Sequence, residues 1–138
     1  RGEISDILGM NSGHTAVVLG AGNLGRALIE NFHFELSGFH LAAAFDVAPG
    51  IVGTVMSGVP IYHIDTLEGY LAGHPTSVGV LTVPRRVAAE TAARLVAGGV
   101  RGLWNFTNIE LDLRGSDVVV ENVHFADSLL ALSYMISE

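Results

Sequence analysis

Short apolar runs alternate along this chain with segments whose apolar residues recur every three to four positions. The uninterrupted runs predict strands at 15–20, 39–46, 58–62, 77–83, 102–106 and 118–123. The periodic segments predict helices at 23–32, 65–73, 84–98 and 124–137. Strands that alternate with helices in this way predict an α/β fold, a doubly wound parallel (Rossmann) sheet with right-handed crossovers.

Local signals refine these elements. Asp65 is placed to cap the second helix, and Pro84 suits the first turn of the third. The run 77–83 is apolar throughout, which predicts a central strand buried on both faces. Segment 51–57 fits neither the helical nor the strand period.

Three glycines follow the first strand in the spacing G-x-G-x-x-G, at Gly20, Gly22 and Gly25. The first allows a tight turn, the second lets backbone approach a pyrophosphate, and the third lets helix and strand pack closely. Ala21, Asn23 and Leu24 complete the loop. By itself this pattern also fits a turn that binds nothing.

Asp46 strengthens the dinucleotide interpretation because it ends the second predicted strand. A carboxylate there would accept hydrogen bonds from the adenosine ribose and repel a 2′-phosphate. The flanking strand and helix also have the required character. The sequence therefore favours binding of a nicotinamide or flavin dinucleotide.

Ligands in parallel sheets lie beyond the carboxyl ends of the strands. Further candidate residues stand at those ends: Thr82, Val83, Pro84, Asn105 and Phe106. The Thr82 hydroxyl and the Asn105 amide are suited to a carboxamide, with an apolar floor supplied by the other three. The alternative is that both polar side chains merely satisfy backbone groups of the loops.

The predicted closing helix is apolar on most of its sides. One small domain covers one face of such a helix, so burial against a second subunit, by exchange of the helix, is favoured over packing within the same chain.

Composition narrows the class of protein. The 138 residues allow one domain, predicted at 15–138, with residues 1–14 as the tail of a missing upstream segment or a linker. The net charge of −7 disfavours nucleic-acid binding by these residues themselves. No apolar run approaches the length of a membrane span, and no signal peptide is recognisable, so a cytoplasmic location is expected.

Catalytic chemistry is poorly supported. Cysteine and lysine are both absent, which excludes thiolate, Schiff-base and lysine-base mechanisms. His124, Asp127 and Ser128 fall within one helical turn, but nothing supplies a nucleophile elbow or an oxyanion loop. The histidines show no metal-ligand spacing. We expect a protein that binds without turnover, with no catalytic residue and no metal.

Several segments together resemble the Rex family of redox-sensing transcriptional repressors. They read GAGNLGRAL, AAFDV, GVPIYHID, LTVP, NF and VENV, at 20–28, 43–47, 58–65, 81–84, 105–106 and 120–123. The resemblance implies the NAD(H)-binding core of a homodimer whose C-terminal helix is exchanged, and a DNA-binding winged helix that is absent from these residues.

By position, the resemblance assigns the adenosine and pyrophosphate half of NAD(H) to the glycine loop and Asp46 with Val47. The nicotinamide half goes to residues 82–84 and 105–106, with Phe125 of a partner subunit covering the ring. The family's usual tyrosine near the end of the first helix is replaced by Asn31, and its usual aspartate before the exchanged phenylalanine by His124. In the family, the tyrosine and the aspartate both belong to the switch between the closed and the open dimer.

Two other hypotheses stay open. One is a nicotinamide- or CoA-binding fragment of a dehydrogenase or an acyl-CoA ligase. The other is a dimerisation module that has lost its cofactor. The first predicts a catalytic domain encoded further along the same chain, which the full gene would reveal. The second predicts a dimer in light scattering with no nucleotide in the crevice.

Overall fold

The computed structural model describes residues 13–123 and Ile136. Its strands are β1 (His14–Leu19), β2 (Phe39–Asp46), β3 (Val55–Met56), β4 (Val59–His63), β5 (Val78–Leu81), β6 (Gly102–Asn105) and β7 (Val119–Asn122). Its α-helices are α1 (Asn23–Asn31), α2 (Leu67–Gly73) and α3 (Arg85–Ala97). Two short 3₁₀ helices lie at Phe34–Ser37 and Ile64–Thr66.

The described strands form one sheet in the order β3-β4-β2-β1-β5-β6-β7. Every neighbouring pair is parallel except β3 and β4. The order reverses direction at β1, so β2 and β5 lie on either side of the strand that precedes the glycine loop. In parallel sheets this reversal opens a crevice beyond the strand ends.

Helices cover both faces of the sheet. Leu28 and Ile29 of α1 pack in one apolar cluster, with Val18 and Ala44 of the inner strands. The other cluster joins α2 and α3 to the opposite face, with Leu71 and Leu95 among its buried side chains. The doubly wound architecture expected from the sequence is confirmed.

The edge strand β3 is the main departure from the predicted elements. It pairs antiparallel with β4 through Val55–Pro60 and Met56–Val59, within the segment that fitted neither period. Ser57 and Gly58 both have positive φ, 51° and 81°, as a two-residue hairpin turn requires. The sheet is therefore not wholly parallel.

The predicted cap of the second helix was wrong. The backbone N–H of Asp65 donates to Nδ1 of His63 at 3.1 Å, so His63 caps a 3₁₀ turn that precedes α2. Pro84 stands at the N-cap of α3, one position before the helix begins.

The predicted helix 124–137 lies outside the described residues, apart from Ile136, which is helical and exposed. Within the described part of the chain, no helix has the length and apolarity to cross a bilayer.

Candidate functional site

The carboxyl ends of the inner strands bring the predicted site residues to one edge of the sheet. Residues Leu19, Phe45, Leu81 and Asn105 stand in register across the four central strands. The residues that follow them therefore lie along the edge of the sheet where parallel topology opens the crevice.

The glycine loop is fixed by close backbone contacts. Gly20 has φ of +97°, and a Cβ there would lie 2.7 Å from the carbonyl oxygen of Thr82. A Cβ at Gly25 would overlap the carbonyl oxygen of Gly20 and lie 2.9 Å from Oγ1 of Thr82. Both positions thus exclude a side chain, which lets α1 and β5 close on the end of β1.

Gly22 differs from the other two glycines. No described atom lies within 4 Å of the position that its Cβ would take, so the missing side chain leaves open space. Gly22 is also the N-cap of α1, whose first turn has neither a side-chain cap nor an acidic residue. Its first-turn N–H groups are therefore available to an anion.

Asp46 ties the end of β2 to the glycine loop. Its Oδ2 accepts a hydrogen bond from the Ala21 N–H at 2.5 Å, and its Oδ1 accepts from Val47 at 2.6 Å and Ala48 at 2.9 Å. A carboxylate offers about four acceptor positions, so roughly one stays free on Oδ2. The carboxylate is thereby oriented with room to accept from one hydroxyl.

A cleft of about 270 Å³ opens beside this carboxylate. Among the predicted residues it is lined by Gly20, Asp46, Val47, Val83 and Pro84. The sequence did not point to the remaining lining, which includes Ile64, Arg86, Glu90 and Arg94. The one signal in the sequence was the spacing of Arg86, Glu90 and Arg94, which recur every four residues and therefore share one side of α3.

Arg94 fixes the far wall of this cleft. Its guanidinium donates to Oε2 of Glu68 at 2.5 Å, to Oε1 at 2.7 Å, and to the carbonyl oxygen of Ile64 at 2.8 Å. The hydrogen bond from Arg94 is the largest cause that lowers the pKa of Glu68 from 4.5 to about 2. The same bond raises the pKa of Arg94 above its ordinary value.

Thr82 uses its hydroxyl within the protein. Oγ1 lies 2.6 Å from the carbonyl oxygen of Gly20 and 2.9 Å from that of Leu19. Its single proton is shared between these acceptors, so the hydroxyl satisfies backbone in this arrangement. A contact from Thr82 to the ligand stays a prediction.

Asn105 is also occupied by protein partners and is 1% exposed. Its side-chain amide forms hydrogen bonds with Thr107, Ile109 and Asn122. Hydrogen bonding of this side chain to a carboxamide, one of the sequence predictions, would require those bonds to open.

Phe106 is buried at the end of β6 and packs edge-to-face on Trp104, with ring centroids 4.6 Å apart. Asn31, at the family's tyrosine position, donates from Nδ2 to the carbonyl oxygen of Ala27 at 3.1 Å. Phe125 and His124 lie outside the described residues. Across residues 13–123 and Ile136, no three His, Asp or Glu side chains group as metal ligands.

Comparisons with known proteins agree with this geometry. A family model described as a CoA binding domain matches residues 11–109. The redox-sensing transcriptional repressor Rex of Caldicellulosiruptor bescii is 45% identical over 132 residues, which cover 96% of this chain and 60% of the repressor. The chain thus spans less than two thirds of that relative.

Two solved structures of RSP, a Rex-family repressor, superpose with a TM-score of 0.81 at 38% identity. One contains β-NADH, and 96% of this chain matches 64% of it. The other contains β-NAD⁺ and operator DNA, with 96% of this chain matching 60% of it. The resemblance to Rex repressors is confirmed. The chain belongs to the CoA binding domain family.

Proposed function

We propose that residues 15–138 form the NAD(H)-binding, redox-sensing and dimerisation domain of a Rex-type repressor. The observation that carries the proposal is the hydrogen bond from the Ala21 N–H to Asp46, because it joins the two halves of the dinucleotide motif in one crevice. The relatives that bear NAD⁺ and NADH give the ligand its chemical identity.

The adenosine half occupies the cleft beside Asp46. The free acceptor position of Asp46 takes a ribose hydroxyl, while Val47, Val83 and Pro84 supply apolar surface. The pyrophosphate lies against Gly20–Gly25, where the open space at Gly22 and the uncapped N-terminus of α1 suit an anion.

The nicotinamide half lies toward Thr82, Asn105 and Phe106. Phe125 of a partner subunit covers the ring in this arrangement. Because the two polar side chains are occupied within the protein, contacts to the nicotinamide fall to backbone groups and to Phe106.

Dimerisation through the C-terminal helix is supported by an apolar groove on the α1 face of the sheet. The groove measures about 330 Å³ and is lined by Phe32, Phe34, Phe39, Trp104 and Val119, among others. Apolar grooves of this kind are covered in functional proteins. The residues after Val123 are apolar enough to fill it from a second copy.

Operator DNA is bound through an upstream domain outside these residues, as the net charge of −7 leads us to expect. NADH then loosens operator binding and NAD⁺ permits it. A repressor with this role acts in the cytoplasm, where its operator lies.

The binding proposal is tested by calorimetric titration of the chain with NADH, NAD⁺ and NADPH. We expect NADH to bind at micromolar concentration and NADPH at least about tenfold more weakly, because Asp46 repels a 2′-phosphate. No binding of NADH would reject the proposal, and equal affinity for NADPH would reject the role given to Asp46.

The dimer is tested with two matched edge-strand variants. Val119 in β7 and Val55 in β3 are similarly exposed, at 70% and 67%, but only Val119 lines the groove. Sedimentation equilibrium should show a weaker dimer for Val119→Arg and an unchanged one for Val55→Arg. Equal dimerisation of the two variants would place the interface elsewhere.

A second function is favoured by the match to the CoA binding domain. A CoA-binding fragment of a larger enzyme would use the same helix N-terminus for the CoA pyrophosphate. The same titration with CoA decides between the two, since tight CoA binding with no NADH binding would select the enzyme fragment.

A further inference from the structure

Two buried polar side chains lie together at the carboxyl end of β6. Asn105 is 1% exposed and Thr107 is 5% exposed. The other buried polar residue of the described chain, Thr91, bonds within its own helix. A buried polar group destabilises the fold unless it is hydrogen-bonded. The hydrogen bonds of Asn105 and Thr107 are therefore needed to hold this part of the crevice.

The Asn105 amide makes every hydrogen bond of which it is capable. Nδ2 donates to the Ile109 carbonyl oxygen and to Oδ1 of Asn122, each at 2.8 Å. Oδ1 accepts from the Thr107 N–H at 3.0 Å and from its hydroxyl at 2.6 Å. A backbone N–H only donates and a carbonyl only accepts, so these partners fix the amide orientation.

The partners belong to two separate parts of the chain. Thr107 and Ile109 lie in the loop that follows Phe106 at the ligand crevice. Asn122 is the last residue of β7, and the next N–H, of Val123, donates to the Asn105 carbonyl oxygen at 2.9 Å. Side chain and main chain of Asn105 therefore hold both the crevice loop and the end of β7, at Asn122 and Val123.

We infer that Asn105 is a positioning residue that couples the ligand crevice to the C-terminal segment. The inference deepens the proposed function and rests on it for the identity of the ligand. Asn105 touches no ligand in this role. A ligand seated against Phe106 moves the crevice loop, and the shared amide transmits that movement to Asn122 and Val123, where the dimerisation segment begins.

Asn122 offers a matched pair of variants. Asn122 is exposed, so neither substitution disturbs the packing of the core. Asn122→Ala removes the acceptor and leaves one Asn105 N–H without this partner. Asn122→Asp keeps an oxygen at the same place and preserves the bond.

The first measurement is amide hydrogen exchange of the full chain without nucleotide. Because the N–H groups of Thr107 and Val123 both bond to Asn105, their exchange should be about tenfold faster in Asn122→Ala, as expected for loss of a buried hydrogen bond. Asn122→Asp should match the wild type. Equal exchange in the two variants would overturn the inference.

The second measurement adds saturating NADH, with saturation established by calorimetry for each variant. NADH should slow Val123 exchange in the wild type and in Asn122→Asp, but not in Asn122→Ala. Protection of Val123 in Asn122→Ala would overturn the coupling. If the wild type binds no NADH, the proposed function fails, and the exchange rates without nucleotide still decide whether Asn105 holds both segments.

Discussion

The two ends of the crevice are built by different physical means. At the end of β1, Gly20 and Gly25 bring backbone into contact with backbone, and no side chain can be accommodated at either position. At the end of β6, one buried amide joins the crevice loop to β7 through four hydrogen bonds. The first end is set by steric exclusion, the second by satisfied polar groups.

This difference decides how each end fails. A steric contact between two backbones cannot relax without moving a strand or a helix, so substitution there affects the whole fold. A hydrogen-bond network loses one member at a time, and a variant that keeps an acceptor keeps the geometry. The glycine end should therefore respond in stability, and the Asn105 end in local motion.

The largest effect is expected from Gly25→Ala. Alanine favours a helix by about 1 kcal/mol over glycine, but its Cβ would overlap the Gly20 carbonyl oxygen, and overpacking of this kind costs about 3 kcal/mol. The clash outweighs the helical gain. Urea unfolding of the purified chain should show a net loss of about 2 kcal/mol or more.

Gly22→Ala is the control for this prediction. Its Cβ enters open space, and at an N-cap alanine costs less than about 1 kcal/mol. The variant should stay folded but bind NADH more weakly, because the methyl group enters the space proposed for the pyrophosphate. If both variants lose equal stability, steric exclusion does not distinguish the two glycines.

Asp46→Asn should give the next largest effect. In the wild type, both carboxylate oxygens accept hydrogen bonds from backbone N–H groups. In either orientation, the NH₂ group of the new amide would face at least one of these donors. Loss of a charge-assisted hydrogen bond costs about 2 kcal/mol, and the preference for NADH over NADPH should shrink. Urea unfolding and calorimetry measure the two, with exposed Asp117→Asn as the control that should change neither.

The sequence predicted the glycine end far better than the Asn105 end. Gly20, Gly22 and Gly25 constrain the backbone through local spacing, which a sequence shows directly. The bond from Asn105 to Asn122 spans 17 residues, and no periodicity reports a pairing that exists only once the sheet has formed. Asn105 was placed correctly at a strand end, but its amide bonds protein groups.

The three described α-helices, the doubly wound architecture and most boundaries of the described elements also followed from the pattern of apolar residues. The short strand β3 did not, since its two residues are too few to show a period and its pairing depends on the turn at Ser57 and Gly58. The wall formed by Arg94 and Glu68 was missed for the same reason as the amide network, a separation of 26 residues. The exchanged helix and Phe125 stay predictions.

Thr82→Val tests whether hydrogen bonding also contributes at the glycine end. The isosteric change removes the hydroxyl that Gly20 and Leu19 carbonyls share, at a cost of about 1 kcal/mol in urea unfolding. Thr91→Val is the matched control, because that hydroxyl bonds only the Val87 carbonyl one turn back, and its cost should be less than half as large. Equal losses would mean that the Thr82 hydroxyl adds nothing particular to the crevice.

The smallest effect is expected from the charged wall of the cleft. The pKa of Glu68 falls from 4.5 to about 2 on folding, so the unfolded chain takes up this proton first as the pH decreases. The stabilisation is complete above the unfolded value and is lost as the pH falls from 4.5 toward 2. Glu68→Gln should therefore flatten the pH dependence of the unfolding midpoint in that window, and only slightly, because the Glu68 carboxylate is exposed.

Asp112→Asn is the control that separates tertiary from local pairing. Arg114 lowers the pKa of Asp112 too, but the partners are two residues apart and can meet in the unfolded chain. The lowering of the Asp112 pKa is then largely the same in the folded and the unfolded chain. The pH dependence of the unfolding midpoint at acidic pH should therefore match that of the wild type. If the pH dependence were flattened by Asp112→Asn and not by Glu68→Gln, the charge pair would stabilise the loop at Asp112 and not the cleft. Backbone contact and the buried amide would then be the two interactions that hold the crevice.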